Sequence, residues 1–186
     1  MGLRWFRILS PRVDRHLVLL HGLSGVGKTT VCEALGEATD TAYLSVAGSP
    51  DFRQKPMWQI CANLAMESDR SKRVLLTEAC LLQRSGRDRY VSKVMERCRE
   101  QGLHIDQALI IYLREDDLAF ISGRRGQSPD YDEPLKAKIE TGSDNFDYWI
   151  YVSSPDEREC VRERSRRMRL LIDEWLRRVV GRADSI

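Results

Sequence analysis

The sequence has no apolar run approaching the ~20 residues that span a bilayer, and no secretory apolar core follows Met1. Its opening residues lack the Ser or Thr that a myristoylation signal wants at the sixth position. No membrane partner is expected. Only three histidines occur, His16, His21 and His104, and the cysteines at 32, 61, 80, 98 and 160 form no C-x-x-C pair. No spacing supports a zinc site, and the cysteines read as small core residues of a reduced, cytoplasmic protein. An excess of one charge is missing too. Thirty Lys and Arg stand against 28 Asp and Glu, a net charge of +2, so any nucleic-acid footprint has to be local. Internal repeats and low-complexity segments are absent.

What is present suits one folded domain spanning 1–186. The chain has 186 residues, 42% hydrophobic and 31% charged, enough for a single core and too few for a second full-sized domain. Residues 1–15 are basic and partly apolar, and read as an N-terminal arm, with a transit peptide as the alternative.

The order of elements alternates. His16–His21 is a short apolar run that ends in a glycine-rich turn, as a buried strand does. A helix is expected over Lys28–Ala38, a strand over Thr41–Ala47, and a second helix opening at Pro56 with Met57, Ile60, Cys61, Leu64 and Ala65 on one face. Arg73–Ala79 reads as a third strand, Asp88–Gln101 as a helix stopped by Gly102, and Ala108–Leu113 as the fourth strand. A polar stretch from Gly123 to Asp147 precedes a fifth strand at Tyr148–Val152. Ser153, Ser154 and Pro155 are expected to start the last helix. Strands alternating with helices imply an α/β domain with a parallel sheet covered on both faces.

Gly22-Leu23-Ser24-Gly25-Val26-Gly27-Lys28-Thr29 meets the pattern G-x-x-x-x-G-K-[ST] at every fixed position, between an expected strand and an expected helix. That is the phosphate loop of a nucleoside-triphosphate site, here for ATP with Mg²⁺. The glycines let backbone N–H groups turn inward, the helix that follows points its positive end at the phosphates, and Lys28 meets the β- and γ-phosphates. The Thr29 hydroxyl serves Mg²⁺, and Ser24, Val26 and Thr30 complete the cradle.

The rest of the chain decides the class. The Asp-x-x-Gly and Asn-Lys-x-Asp strings of a GTPase are absent. A motor or clamp-type ATPase carries four apolar residues and then Asp or Asp-Glu. The nearest run here is Val74-Leu75-Leu76-Thr77-Glu78. Small phosphotransferases, the remaining class, carry an arginine-bearing lid between the fourth and fifth strands. Ser122-Gly123-Arg124-Arg125-Gly126 lies in that interval, within a lid and post-lid segment over 114–147. Gly123–Asp130 is expected to be its mobile part.

Gly22 to Thr30 resembles the phosphate loop of adenylylsulfate kinases. Tyr131-Asp132-Glu133-Pro134, running on to Thr141, is similar to the post-lid segment of that family, and Ser49-Pro50-Asp51-Phe52-Arg53-Gln54 resembles polynucleotide kinases just after the second strand. The resemblance is thus to the P-loop small-molecule and nucleotide kinases, and it implies a five-stranded parallel sheet in the order 2-3-1-4-5. The chain also departs from these relatives. Pro50 stands where they carry the aspartate, with Asp51 two residues before Arg53, and Val46-Ala47-Gly48-Ser49 replaces the Asp-Gly-Asp string of adenylylsulfate kinases.

The candidate catalytic residues are Lys28, Asp51, Glu78, Arg124 and Arg125. Asp51 and Glu78 each follow a strand's C-terminal end, where open α/β sheets bind ligands, so either suits the base, and Glu78 suits Mg²⁺ through water. Arg53 is placed to hold an acceptor phosphate, and Arg84, with Arg87 and Arg89, to bind an anionic acceptor. Phe52, Arg53 and Lys55 around Trp58 suit stacking on a base. Arg158, Arg162, Arg166 and Arg169 form a basic side of the last helix, interleaved with Glu159 and Glu163. The sequence therefore reads as an ATP-dependent kinase acting on a hydroxyl or phosphate of a nucleotide-like or small-metabolite acceptor. Two readings stand beside it: a kinase of nucleic acid, at a 5′-hydroxyl or a hydroxymethylated base, and an ATP-binding regulator without efficient transfer.

Overall fold

The structure, a computed structural model, describes residues 14–126, 129–154 and 160–183. Its elements run β1 (His16–His21), α1 (Lys28–Gly36), β2 (Thr41–Tyr43), α2 (Met57–Glu67), β3 (Val74–Ala79), α3 (Arg84–Glu100), β4 (Gln107–Arg114), α4 (Leu118–Arg125), α5 (Pro129–Ala137), β5 (Asp147–Val152) and α6 (Val161–Ala183). The strands form one parallel sheet in the order β2-β3-β1-β4-β5, as the resemblance implies.

Strand side chains alternate between the two faces of the sheet. Val18 and Leu20 of β1, Leu76 of β3 and Ile111 and Leu113 of β4 pack with Val31 and Leu35 of α1 and with Met168, Ile172 and Trp175 of α6. Leu17, Leu19, Leu75 and Ile110 face the other way, onto Ile60 and Ala65 of α2 and Val91 and Val94 of α3. Every residue of β1 is buried, which is why Leu17 to Leu20 run apolar without alternation. This central strand sets the phosphate loop at the C-terminal edge of the sheet, with Leu20 level with Glu78 and His21 level with Ala79 and Tyr112.

Several boundaries differ from expectation. β2 stops at Tyr43 instead of Ala47: the Leu44 N–H still donates to the Leu76 carbonyl (2.7 Å), after which a turn closes from Ser49 N–H to the Val46 carbonyl (3.2 Å). α1 ends at Gly36 rather than Ala38. α3 begins one turn before Asp88, because two buried charges anchor that turn. The Arg87 guanidinium donates to the carbonyls of Leu81, Leu82, Glu140 and Gly142, while Asp88 accepts from Ser143 Oγ (2.6 Å) and the Asp144 N–H (2.8 Å). The polar stretch after β4 holds two helices. α4 is capped by Asp117, which accepts from the Phe120 N–H, and it ends at Gly126 with φ 64°. Of the expected lid, residues 127–128 lie outside the described residues, as do residues 1–13 of the arm and Pro155 and Arg158 of the expected last-helix start. Arg15, the last arm residue, is buried and donates to the carbonyls of Lys72 and Asp69 and to Ser68 Oγ.

Candidate active site

The phosphate loop turns from β1 into α1 at the sheet's edge. At Gly22 a Cβ would lie 2.6 Å from the Leu113 carbonyl oxygen, so the loop leaves β1 in contact with β4 backbone that no side chain could tolerate. Gly27, at the N-terminal cap of α1, has φ 90°, a conformation that L-residues with a Cβ rarely adopt. The Lys28 ammonium is buried in the loop and donates to the carbonyls of Gly22 (3.0 Å) and Leu23 (2.7 Å).

A cavity of about 450 Å³ opens beside this loop. It is lined by Ser24, Gly25, Gly27, Lys28, Thr29 and Thr30 of the loop and first turn of α1, by Val46, Ala47, Phe52, Met57, Ala79 and Cys80, and by Glu78 and Arg124. Glu78 extends from the end of β3, and its Oε1 accepts from Thr29 Oγ1 (2.7 Å) and from the Tyr43 hydroxyl (2.7 Å). Burial, then that hydrogen bond, push the Tyr43 phenol above its ordinary value, so it stays a proton donor to the carboxylate. The Thr29–Glu78 pair offers hard oxygen donors of the kind Mg²⁺ takes. Among the described residues no group of three or more His, Cys, Asp or Glu side chains could hold a metal unaided. A cation here would depend on phosphate oxygens and water for its remaining ligands, as Mg²⁺ at nucleotide sites does.

Two arginines of α4 take different positions. Arg124 lines the cavity, its Nη1 3.1 Å from where a Gly27 Cβ would stand. The stem of Arg125 packs on Gly25, and its guanidinium donates to Asp132 (2.5 Å), a buried carboxylate that also accepts from Ser122 Oγ (2.8 Å). From the far side, buried Arg164 of α6 donates through Nη1 to the Val26 carbonyl (2.8 Å).

Lys28, Thr29, Glu78 and Arg124 thus meet in one cleft. Asp51 is ion-paired with Lys55 (2.7 Å), and neither Asp51 nor Arg53 is among the residues that line the cavity, although Phe52 between them is. Arg84 pairs with Asp144 (3.0 Å) of the post-lid segment. Trp58 packs against the α2–α3 core with the Lys93 ammonium 4.9 Å from its ring, while Phe52 and Met57 supply the cleft's apolar surface. On the expected basic side of α6, Arg166 pairs with Glu163 (2.9 Å) and Arg169 with Asp40 (2.7 Å). Sequence reasoning did not find Tyr43, Met57, Cys80 or Arg164. A signal existed for Arg164, which shares helical spacing with buried Met168, Ile172 and Trp175.

A model of the ATPase family associated with various cellular activities matches residues 18–148, from β1 into β5. The chain belongs to that family. The matched range includes Val74-Leu75-Leu76-Thr77-Glu78 of β3, where Thr77 stands between the apolar run and the acid. No curated protein is significantly similar in sequence. Among solved structures, a fungal RNA kinase superposes with a TM-score of 0.61 at 16% identity, covering 89% of this chain and 87% of its own. A gluconokinase from Sinorhizobium meliloti 1021 gives 0.54 at 17% identity, covering 90% and 98%. The tunicamycin resistance protein of Deinococcus radiodurans gives 0.50 at 16% identity, covering 81% and 95%. The fold is that of the P-loop kinases.

Proposed function

We propose that the protein is an ATP-dependent phosphotransferase that moves the γ-phosphoryl group to a hydroxyl of a nucleotide-like or small-metabolite acceptor. One observation carries this reading: a single cavity is lined by the phosphate loop, by Glu78 and Arg124, and by a separate set of apolar residues after β2, at the start of α2 and at the end of β3. Such a shape seats a nucleotide and a second reactant together, and phosphoryl transfer gains most of its rate from positioning and charge stabilisation.

Lys28 leaves the Gly22 and Leu23 carbonyls to meet the β- and γ-phosphates. Arg124 closes from α4 over the migrating group, and Arg125 supports that helix through Asp132. Bound with the nucleotide, Mg²⁺ would be held by Thr29 with phosphate oxygens and water, and would neutralise phosphate charge. The acceptor oxygen forms a bond to the γ-phosphorus as the bond to the β–γ bridging oxygen breaks, and ADP leaves with that electron pair. The hydroxyl proton passes to a carboxylate. Glu78, which lines the cleft, is assigned this role ahead of Asp51, which is held by Lys55.

Nucleic acid as the acceptor is favoured by one feature. Across Cys80 the cleft adjoins a second cavity of about 590 Å³ along Leu81, Leu82, Gln83, Ala137 and Lys138, room for a longer substrate. Incubation with γ-labelled ATP, Mg²⁺ and pools of nucleosides, nucleotides, sugars, single-stranded DNA and modified duplex DNA separates the readings. Label on a small hydroxyl compound supports the first, and label on DNA the second. ATP binding with no transfer to any acceptor would leave a nucleotide-binding regulator.

A further inference from the structure

The apolar side of the cleft's lining is Val46, Ala47, Phe52, Met57, Ala79 and Cys80. None of these side chains carries a charge. The cations among the lining residues are Lys28 of the phosphate loop and Arg124 of α4, whose Nη1 lies 3.1 Å from where a Gly27 Cβ would stand. The basic residues nearest in sequence to the apolar side do not reach it: Lys55 is paired with Asp51, Arg84 with Asp144, and Arg53 does not line the cavity. An anionic acceptor would lose hydration here and gain no partner, a cost of several kcal/mol in general. Such a site therefore selects against charge close to the reacting oxygen. Phe52, by contrast, lines the cleft and is 42% exposed. Aromatic rings offered in this way bind flat apolar groups and nucleobases by stacking.

We infer that the acceptor is an uncharged hydroxyl compound with a flat aromatic group, which stacks on Phe52 and packs against Met57 and Cys80 while its hydroxyl meets the γ-phosphate. This rests on the kinase reading and narrows it. Uncharged nucleosides are the simplest members of the class; gluconate and nucleoside monophosphates fall outside it.

Two readouts test the inference, one of which needs no turnover. Cys80 is an exposed thiol on the apolar side, and the other exposed cysteine among the described residues is Cys160. In a Cys160→Ser protein holding a non-hydrolysable ATP analogue, alkylation of Cys80 is followed by peptide mass mapping. Adenosine, guanosine, cytidine and uridine form one panel, and gluconate and the corresponding monophosphates the other. Protection of Cys80 by at least one nucleoside and by no anion is expected. In the transfer assay with γ-labelled ATP, the same nucleoside should be labelled. Phe52→Ala should raise its KM about tenfold, on the scale of one lost stacking contact, and Phe52→Tyr should restore it. Preferred transfer to an anion, a Phe52→Ala KM equal to that of the wild type, or neither protection by nor transfer to any uncharged member overturns the inference. Failure of the kinase reading looks different: nucleosides protect Cys80, yet no label moves to any acceptor.

Discussion

Glu78 and Asp51 show how one residue type divides its roles by placement. Glu78 stands near the C-terminal end of β3 and Asp51 in the segment between β2 and α2, but only Glu78 lines the cleft, where Thr29 and Tyr43 fix one of its oxygens. Asp51 spends its carboxylate on Lys55. Kinetics distinguish them. Glu78→Gln should lower kcat by roughly 10²-fold or more while the nucleotide still binds, on the usual scale for a general base. Asp51→Asn should stay within about threefold of wild type, since exposed ion pairs contribute little. An inactive Asp51→Asn with a near-normal Glu78→Gln would reverse the assignment. The phosphate loop itself was fully legible in the sequence, because its chemistry demands backbone freedom and a lysine at fixed spacing. Tyr43 was not, since its meeting with Glu78 requires β2 to pair with β3, a contact that no local pattern encodes.

Two helices far apart in sequence brace the phosphate loop. α4 lays Arg125 on Gly25 and Arg124 on Gly27, and α6 brings the Arg164 guanidinium to the Val26 carbonyl. Charge-assisted hydrogen bonds of this kind contribute about 1.5–3 kcal/mol, and a buried carbonyl left alone has a comparable cost. Arg164→Met should therefore destabilise the protein by about 1–3 kcal/mol in urea unfolding and weaken ATP binding through a looser loop. Unchanged stability and affinity together would contradict the bracing role. The strands and their order followed from periodicity and from the resemblance to P-loop kinases. The helices in the lid interval did not, because α4 and α5 are joined by Asp132 contacts to Ser122 and Arg125 that a polar, proline-bearing stretch does not announce. The early start of α3 likewise depends on Arg87 and Asp88 gripping residues 140–145.

At the scale of the molecule, β1 carries two buried histidines between the sheet's packed faces. Burial, and then the Arg87 and Lys28 charges, lower His21 to about 3, and burial lowers His16 as well. Both rings stay neutral in the folded protein, His21 hydrogen-bonded to the Tyr148 hydroxyl (3.0 Å) and stacked on Tyr112. The unfolded chain takes up protons at these positions below the ordinary histidine value near 6.5. Stability therefore falls as pH drops through the window from about 6.5 towards 3, where the unfolded state binds more protons. His21 alone should contribute a loss of about 2 kcal/mol between pH 7 and pH 5. Urea midpoints across that range should show it, and a flat profile would contradict the burial of both rings. The proposed activity, nucleotide-dependent phosphoryl transfer at the phosphate loop, is tested most directly by Lys28→Ala. With the acceptor identified, label transfer from γ-labelled ATP is compared between wild type and variant, each confirmed as folded. The variant should retain less than about a tenth of the wild-type rate, on the scale of a lost charge contact to migrating phosphate; a rate close to wild type would contradict the account.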